Sequence, residues 1–201
     1  MRKRSESPFP AHAKASKEPL ESQQPVHLSI VNVIATAELG HSVDLNRVSA
    51  EPGFLYDQTV YHCAYLKDSG MIGKVSIFAS GKIISIGTKS FRSAKHDLYH
   101  AQQKLTDLGL IEHARIKVVL RNLVATGEIG KTVDIQKLVK LPNVIYEPEQ
   151  FPGAIYHAAE LEGASMLIFA NGKIVLAGLR SEYSLEVSKR IITQLALLAV
   201  T

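Results

Sequence analysis

The chain repeats itself, and that repetition constrains its fold more than any other feature of its 201 residues. Asn32–Leu45 (NVIATAELGHSVDL) aligns with Asn122–Ile135 (NLVATGEIGKTVDI) at an offset of 90, with seven of 14 positions identical. Ile77–Ser90 (IFASGKIISIGTKS) aligns with Ile168–Ser181 (IFANGKIVLAGLRS) at an offset of 91, with eight of 14 identical. Between these blocks, Val60–Leu66 (VYHCAYL) is set against Ile155–Leu161 (IYHAAEL). That match puts five extra residues before Phe151 in the second repeat and four before Phe78 in the first. A unit of about ninety residues exceeds the period of small solenoid repeats and suits a duplicated half-domain. The units run over residues 26–112 and 113–201, behind a tail of residues 1–25.

Local signals recur within each unit. Leu28–Thr36 and Val118–Thr126 read as strands, rich in Val and Ile. Val43–Val48 and Val133–Val139 read as short helices, with Ser42 and Thr132 as N-caps. Lys74–Gly87 and Met166–Gly178 read as hairpins with turns at Ser80-Gly81 and Asn171-Gly172; the second matches type I′, since Asn and Gly tolerate positive φ. A longer helix closes each unit. Phe91, Ala94, Leu98, Ala101 and Leu105 recur at helical spacing, and Leu185, Ile191, Leu195 and Leu198 build a second apolar face; Ser90 and Ser181 are the caps. Strands followed by a helix, twice over, predict an α+β fold with an antiparallel sheet and helices on one face.

Composition narrows the function classes. Cys63 is the only cysteine, so no intrachain disulfide can form and a reducing interior is expected. No apolar run approaches the ~20 residues that span a bilayer, and no secretory stretch opens the chain, so a soluble internal protein is expected. The formal charge is +4, shared equally between residues 1–25 and 26–201. The tail, rich in Pro, Ser, Ala and charge, reads as disordered. Its Arg2-Lys3-Arg4 reads as a solvated terminus, with phosphate contact or targeting as the alternatives. So small a charge does not announce nucleic acid; such a partner would be held largely by apolar contact. His62 and Cys63 are adjacent, but strand neighbours point to opposite faces, and Ala158 takes the cysteine's place in the second repeat. With no Gly-rich phosphate loop, no repeated acid–base pair and no ligand spacing among the eight histidines, neither catalysis nor a metal or cofactor is expected.

The strands carry an anomaly. A one-sided antiparallel sheet has a polar outer face, yet here both faces are apolar. Val31, Val33 and Ala35 point one way, with Ile30 and Ile34 flanking Asn32 on the other; Val75, Ile77 and Ile83 oppose Phe78, Ile84 and Ile86. The second repeat does likewise with Leu120, Asn122, Val124, Phe169 and Val175. Either a second sheet covers this surface, or it lies exposed as a binding site.

The duplicated pattern V-N-V-I-A-T…L-G…D-L, then I-F-A-S-G-K-I…G-x-K-S, resembles the core of the TATA-box-binding protein family. Tyr146–Tyr156 (YEPEQFPGAIY) looks like archaeal members, and the resemblance covers roughly residues 28–198. It implies a pseudo-two-fold saddle: a curved antiparallel sheet, four helices on its convex face, and DNA under its concave face. The implied function is that of a general transcription factor. It binds an A/T-rich promoter element in the minor groove as a monomer, bends it, and recruits a B-type general factor and the RNA polymerase machinery. The cytoplasm of an archaeal-type cell is the implied location, with a nucleus as the alternative. The competing function is that of a diverged paralogue that binds proteins instead of promoter DNA.

The resemblance also assigns residues. Asn32 and Asn122 would donate to adenine N3 and thymine O2, while Ile34 and Val124 exclude the guanine N2 amino group. The wedges that unstack base steps fall on Tyr56 and Phe78, and on Phe151 and Phe169, with Pro152 beside them. Ile84, Leu167 and Val175 belong to the same apolar surface. Lys82, Lys173, Lys89 and Arg180 would meet phosphates. Glu147 and Glu149 match a loop that contacts the B-type factor. Several residues depart from the pattern. Tyr56 adds a hydroxyl, Asp57 brings a carboxylate, Ser76 replaces an apolar contact, and Ile86 and Ala177 replace threonines. His62 and His157 are matched to one arginine position of the two repeats. Together these predict a firmer grip and kink at repeat two, and stronger binding below pH ~6.5 as histidine charges.

Overall fold

The structure, a computed structural model, describes residues 26–200; the tail and its Arg2-Lys3-Arg4 lie outside the described residues. In the first half, β1 (Leu28–Glu38) leads to α1 (Leu45–Ser49), β2 (Phe54–Leu55), β3 (Cys63–Leu66), β4 (Lys74–Phe78), β5 (Lys82–Thr88) and α2 (Phe91–Asp107). The second half repeats the order with β6 (Val119–Glu128), α3 (Ile135–Leu138), β7 (Val144–Ile145), β8 (Ala154–Tyr156), β9 (Ser165–Ile168), β10 (Lys173–Leu179) and α4 (Glu182–Ala199). All ten strands join one antiparallel sheet, ordered β2-β3-β4-β5-β1-β6-β10-β9-β8-β7. The order reads the same from either edge, with the β1–β6 pair as its seam.

Alternation along the strands builds the core on the helix side. Val75, Ile77, Ile83 and Ser85 of repeat one are buried, as are Met166, Ile168, Ile174 and Leu176 of repeat two. Against them lie Ala94, Leu98, Ala101 and Leu105 of α2, and Leu185, Ile191, Ile192 and Leu195 of α4. Each fully buried aliphatic side chain stabilises the fold by roughly 1.5–3 kcal/mol. Ser90 and Ser181 cap α2 and α4 as the sequence predicts, accepting from the amides of Ser93 and Ser184.

Four local expectations are corrected. The short helices start later than expected and are capped by Asp44 and Asp134, not Ser42 and Thr132; the Asp44 carboxylate accepts from the amides of Asn46 and Arg47. The Asn171-Gly172 turn is not type I′. Only Gly172 has positive φ (84°), and the Gly172 amide donates to Phe169 O while the Phe169 amide donates to Lys173 O. That is a type I turn closed by a left-handed glycine. A Cβ at Gly172 would meet Lys131 O at 2.3 Å, so the position is held by space as well as conformation.

The third correction concerns phase. A register shift between Ile30 and Asn32 turns Ile30 onto the core and leaves Val31 41% exposed. A bulge adds one residue, and the alternation flips beyond it; Leu120 likewise packs on the core, beside exposed Arg121.

The fourth concerns the repeat alignment. Phe54 pairs with Leu66 and Leu55 with Tyr65, as Val144 pairs with Tyr156 and Ile145 with Ile155. Tyr61 N donates to Asp57 O as Phe151 N donates to Glu147 O. The offset is therefore still 90 here, and Val60–Leu66 is not the counterpart of Ile155–Leu161. The shared Tyr-His pairs misled the sequence match; strand pairing fixes the true correspondence.

The β3–β4 loop has no counterpart in repeat two's chemistry. Asp97, fully buried on α2, accepts from the amides of Ile72 (3.1 Å) and Gly73 (2.7 Å). Lys67 Nζ donates to the carbonyls of Met71, Ile72 and Gly73. Asp68 accepts from His100 (2.9 Å), Lys104 (3.1 Å) and the Gly70 amide (3.0 Å). Burial pushes the Asp68 carboxyl up, but these hydrogen bonds and the His100 charge outweigh it and hold its pKa at about 2. A carboxylate depressed in the folded state contributes stability above its unfolded pKa near 3.8 and loses it as pH falls toward 2. Asp68→Asn is therefore expected to remove up to ~2 kcal/mol at neutral pH and to flatten the fall in stability between about pH 4 and 2. Urea unfolding at stepped pH reads this; parallel wild-type and variant curves would refute the assignment.

Candidate nucleic-acid interface

The face away from the helices is open. Asn32, Ile34, Phe78, Ile84, Asn122, Val124, Phe151, Leu167, Phe169 and Val175 are all half-buried, whereas their strand neighbours Val33, Ala35, Ile77, Leu123, Ala125 and Ile168 are buried on the other side. Among the described residues no second sheet covers this surface, since all ten strands belong to one. The sandwich alternative is thereby excluded. Apolar surface of this extent, left uncovered, marks a binding face.

The two asparagines sit near the seam, one on each central strand. Asn32 Oδ1 accepts from the Gly87 amide and Asn122 Oδ1 from the Gly178 amide, both at 3.0 Å. Anchoring each amide oxygen to a neighbouring strand orients the side chain and leaves the Nδ2 group, a donor only, to face outward. Two outward donors amid apolar side chains match a partner surface that presents acceptors.

At the repeat-two end, the Phe151 and Phe169 rings pack edge to face at 5.6 Å and 62°. Gly153 makes room for them: a Cβ there would lie 2.9 Å from Phe151 and 3.1 Å from Phe169. Pro152 beside them is exposed. Repeat one differs from the expectation. The strand registers put Tyr61, not Tyr56, in the place of Phe151, and Tyr56 in the place of Tyr146. Tyr56 and Tyr146 both pack against the core, which is a structural duty. Asp57 corresponds to Glu147 at an exposed loop. Its carboxylate is engaged by Thr59, whose hydroxyl and amide donate to it and lower its pKa. His62 corresponds to Pro152, and it is Lys67 that corresponds to His157. The spacing between Tyr61 and Phe78, against that between Phe151 and Phe169, was the signal that could have found this.

Charge lies around the rim. Lys82 and Lys173 follow the hairpin turns, Lys89 and Arg180 follow the closing glycines, and all four are exposed. Glu147 and Glu149 are exposed in the β7–β8 loop, away from the two asparagines. Arg121 was missed from sequence. Its Nε donates to Thr36 Oγ1 at 2.9 Å, and Thr36 pairs with Ile84 on the open face. Because the bulge moved Arg121 onto this face, simple alternation could not place it. Tyr65 and Lys74 were also missed, with Lys74 Nζ 4.8 Å over the Tyr65 ring. Hydrogen bonding to Cys63, first among the causes, holds the Tyr65 pKa above the usual phenol value. Among the described residues no group of three or more His, Cys, Asp or Glu is placed to hold a metal, and no helix is long and apolar enough to cross a membrane.

The family model described as "Transcription factor TFIID (or TATA-binding protein, TBP)" matches residues 27–108 and 117–197. The chain is similar to the TATA-box-binding protein of Cenarchaeum symbiosum, at 39% identity over 76% of this chain and 84% of that protein. It is also similar to that of Pyrococcus horikoshii, at 33% identity over 78% and 83%. Among solved structures, Methanococcus jannaschii TBP superposes with a TM-score of 0.73 at 28% identity, covering 85% of this chain and 98% of the other.

Proposed function

This chain belongs to the TATA-binding protein family of transcription factors, and from that premise we propose that it binds an A/T-rich promoter element through the minor groove, bends it, and recruits a B-type general factor and RNA polymerase. The observation that carries the reading is the pair of tethered asparagines on an open apolar face. The minor groove of A·T pairs presents acceptors, adenine N3 and thymine O2, while a G·C pair adds the guanine N2 donor. Two outward Nδ2 donors meet the former, and Ile34 and Val124 beside them leave no acceptor for the latter. Phe151 and Phe169 supply an apolar wedge, a mode of unstacking that this family itself exemplifies. Lys82, Lys89, Lys173 and Arg180 stand where phosphates pass, and Arg121 adds a guanidinium near the seam. Glu147 and Glu149 form the surface offered to the B-type factor. The work is binding, not catalysis, and the cytoplasm of an archaeal-type cell is its setting. Asp57 sits on an exposed loop with its carboxylate engaged by Thr59 within its own turn.

Selection of binding sites from random duplexes, with the bend of the winner measured by energy transfer, tests this. An A/T-rich core that bends on binding is expected; recovery of no preferred duplex at low salt would sink the reading. Replacing Asn32 and Asn122 together with alanine is expected to weaken binding at least tenfold and to erase discrimination against a central G·C pair, at roughly 1 kcal/mol or more per lost contact.

A further inference from the structure

The two ends of the open face are built from different chemistry, and the difference is concentrated in one cleft. Cys63 stands in repeat one where Gly153 stands in repeat two. Its side chain is only 6% exposed, yet it lies outside the continuous core, because it fills on the open side the space that Gly153 leaves for a ring. Tyr61 therefore does not pair with Phe78 as Phe151 pairs with Phe169. It packs edge-on against Tyr65, at 5.2 Å and 86°. Lys74 reaches the Tyr65 ring from the adjacent strand. The repeat-two counterparts of Tyr65 and Lys74 are Ile155 and Ser165, so this cation–phenol group exists at one end only.

Tyr61, Tyr65, Lys67 and Lys74 line a cleft of about 410 Å³ closed on its outer side by Phe54 and Leu55, and no carboxylate lines it. Lys67 is turned back onto three loop carbonyls. Lys74 is the cation that faces the cleft, exposed and in no ion pair among the described residues. One unpaired ammonium in a lining that also carries the Tyr61 and Tyr65 phenols suits an oxyanion with a single charge, which is what a phosphodiester presents. We propose that the Tyr61–Tyr65–Lys74 cleft binds a backbone phosphate of the duplex lying across the face, so that repeat one holds DNA by charge where repeat two wedges it.

The inference rests on the DNA reading above, and its test separates the two. The full chain is bound to its selected duplex carrying 2-aminopurine at one end step or the other, a base that brightens when unstacked. Wild type is expected to brighten the step under Phe151 and Phe169 and to leave the opposite step dark. Lys74→Ala with Tyr65→Phe is expected to weaken binding severalfold and lower the slope of log affinity against log salt by about 0.9, the signature of one lost phosphate. Brightening at the repeat-two end stays. Cys63→Gly with Tyr61→Phe restores the ring geometry of the other end and is expected to brighten the second step and increase the bend. Equal brightening at both ends in wild type, or an unchanged salt slope in the Lys74 variant, overturns the cleft assignment while leaving DNA binding intact. Failure of wild type to bind any duplex overturns the functional reading itself.

Discussion

Phe169→Ala is expected to lower affinity for the selected A/T-rich duplex by roughly 30- to 150-fold, or about 2–3 kcal/mol, and to remove most of the bend. Phe169 directly follows β9 on the open face, half-buried, with its ring braced by Phe151. A wedge must be stiff to hold a base step apart, and here each ring is the other's support. Phe151→Ala is therefore expected to cost nearly as much, and the double variant less than the sum, because the first substitution already dismantles the pair. Tyr56→Ala makes the control. It removes a ring packed on the core, so thermal stability falls while the affinity of the folded fraction holds. Fluorescence anisotropy and energy-transfer bending measure the first effect and calorimetry the second. Affinity within threefold of wild type for Phe169→Ala would remove the wedge from the mechanism.

Asp97→Ala is expected to destabilise the protein by about 3 kcal/mol, a fall of roughly 6–12 °C in Tm for a chain of this size. The carboxylate is fully buried and accepts from two amides, those of Ile72 and Gly73. Hydrogen bonds to a charged group contribute more than neutral ones, and their removal leaves two donors facing a void. Water cannot easily repair the site, for Gly73 is itself buried and hemmed by Ile86 O and Thr88. Asp97→Asn retains one acceptor oxygen and is expected to recover about half the loss. Thermal melts of both variants decide it; an unshifted Tm in Asp97→Ala would show that the β3–β4 loop is held by other contacts.

The fold was legible because the same pattern is written twice. Matching blocks flanking the turns at Ser80-Gly81 and Asn171-Gly172 gave strand, hairpin and closing helix in both halves, while apolar residues on both strand faces left a covering second sheet or an open surface as the alternatives. What the sequence hid was phase. A bulge after Ile30 and another before Asn122 turn Ile30 and Leu120 inward and bring Arg121 onto the binding face, and no alternation count reveals an inserted residue. The wedge position failed for a related reason. Tyr61-His62 resembles Tyr156-His157 letter by letter, but hydrogen bonding of β2 to β3 and β7 to β8 pairs it with Phe151-Pro152. The Asp68 and Asp97 networks were invisible because all their partners but the Gly70 amide lie 24 to 36 residues away, and several are backbone amides, which carry no letter.

The seam has a mechanical meaning. From Leu28–Gly127 to Thr36–Val119, the two halves are stitched by one antiparallel ladder that runs through two bulges, at Val31 and Arg121, with no loop between them to act as a hinge. On the function proposed above, a duplex laid across so continuous a ladder is expected to take up the misfit itself. Selectivity is then expected to belong as much to the cargo's compliance as to any atom that touches it: duplexes with easily unstacked pyrimidine–purine steps would conform at low cost, and stiff ones would not, even where the protein meets them with the same side chains.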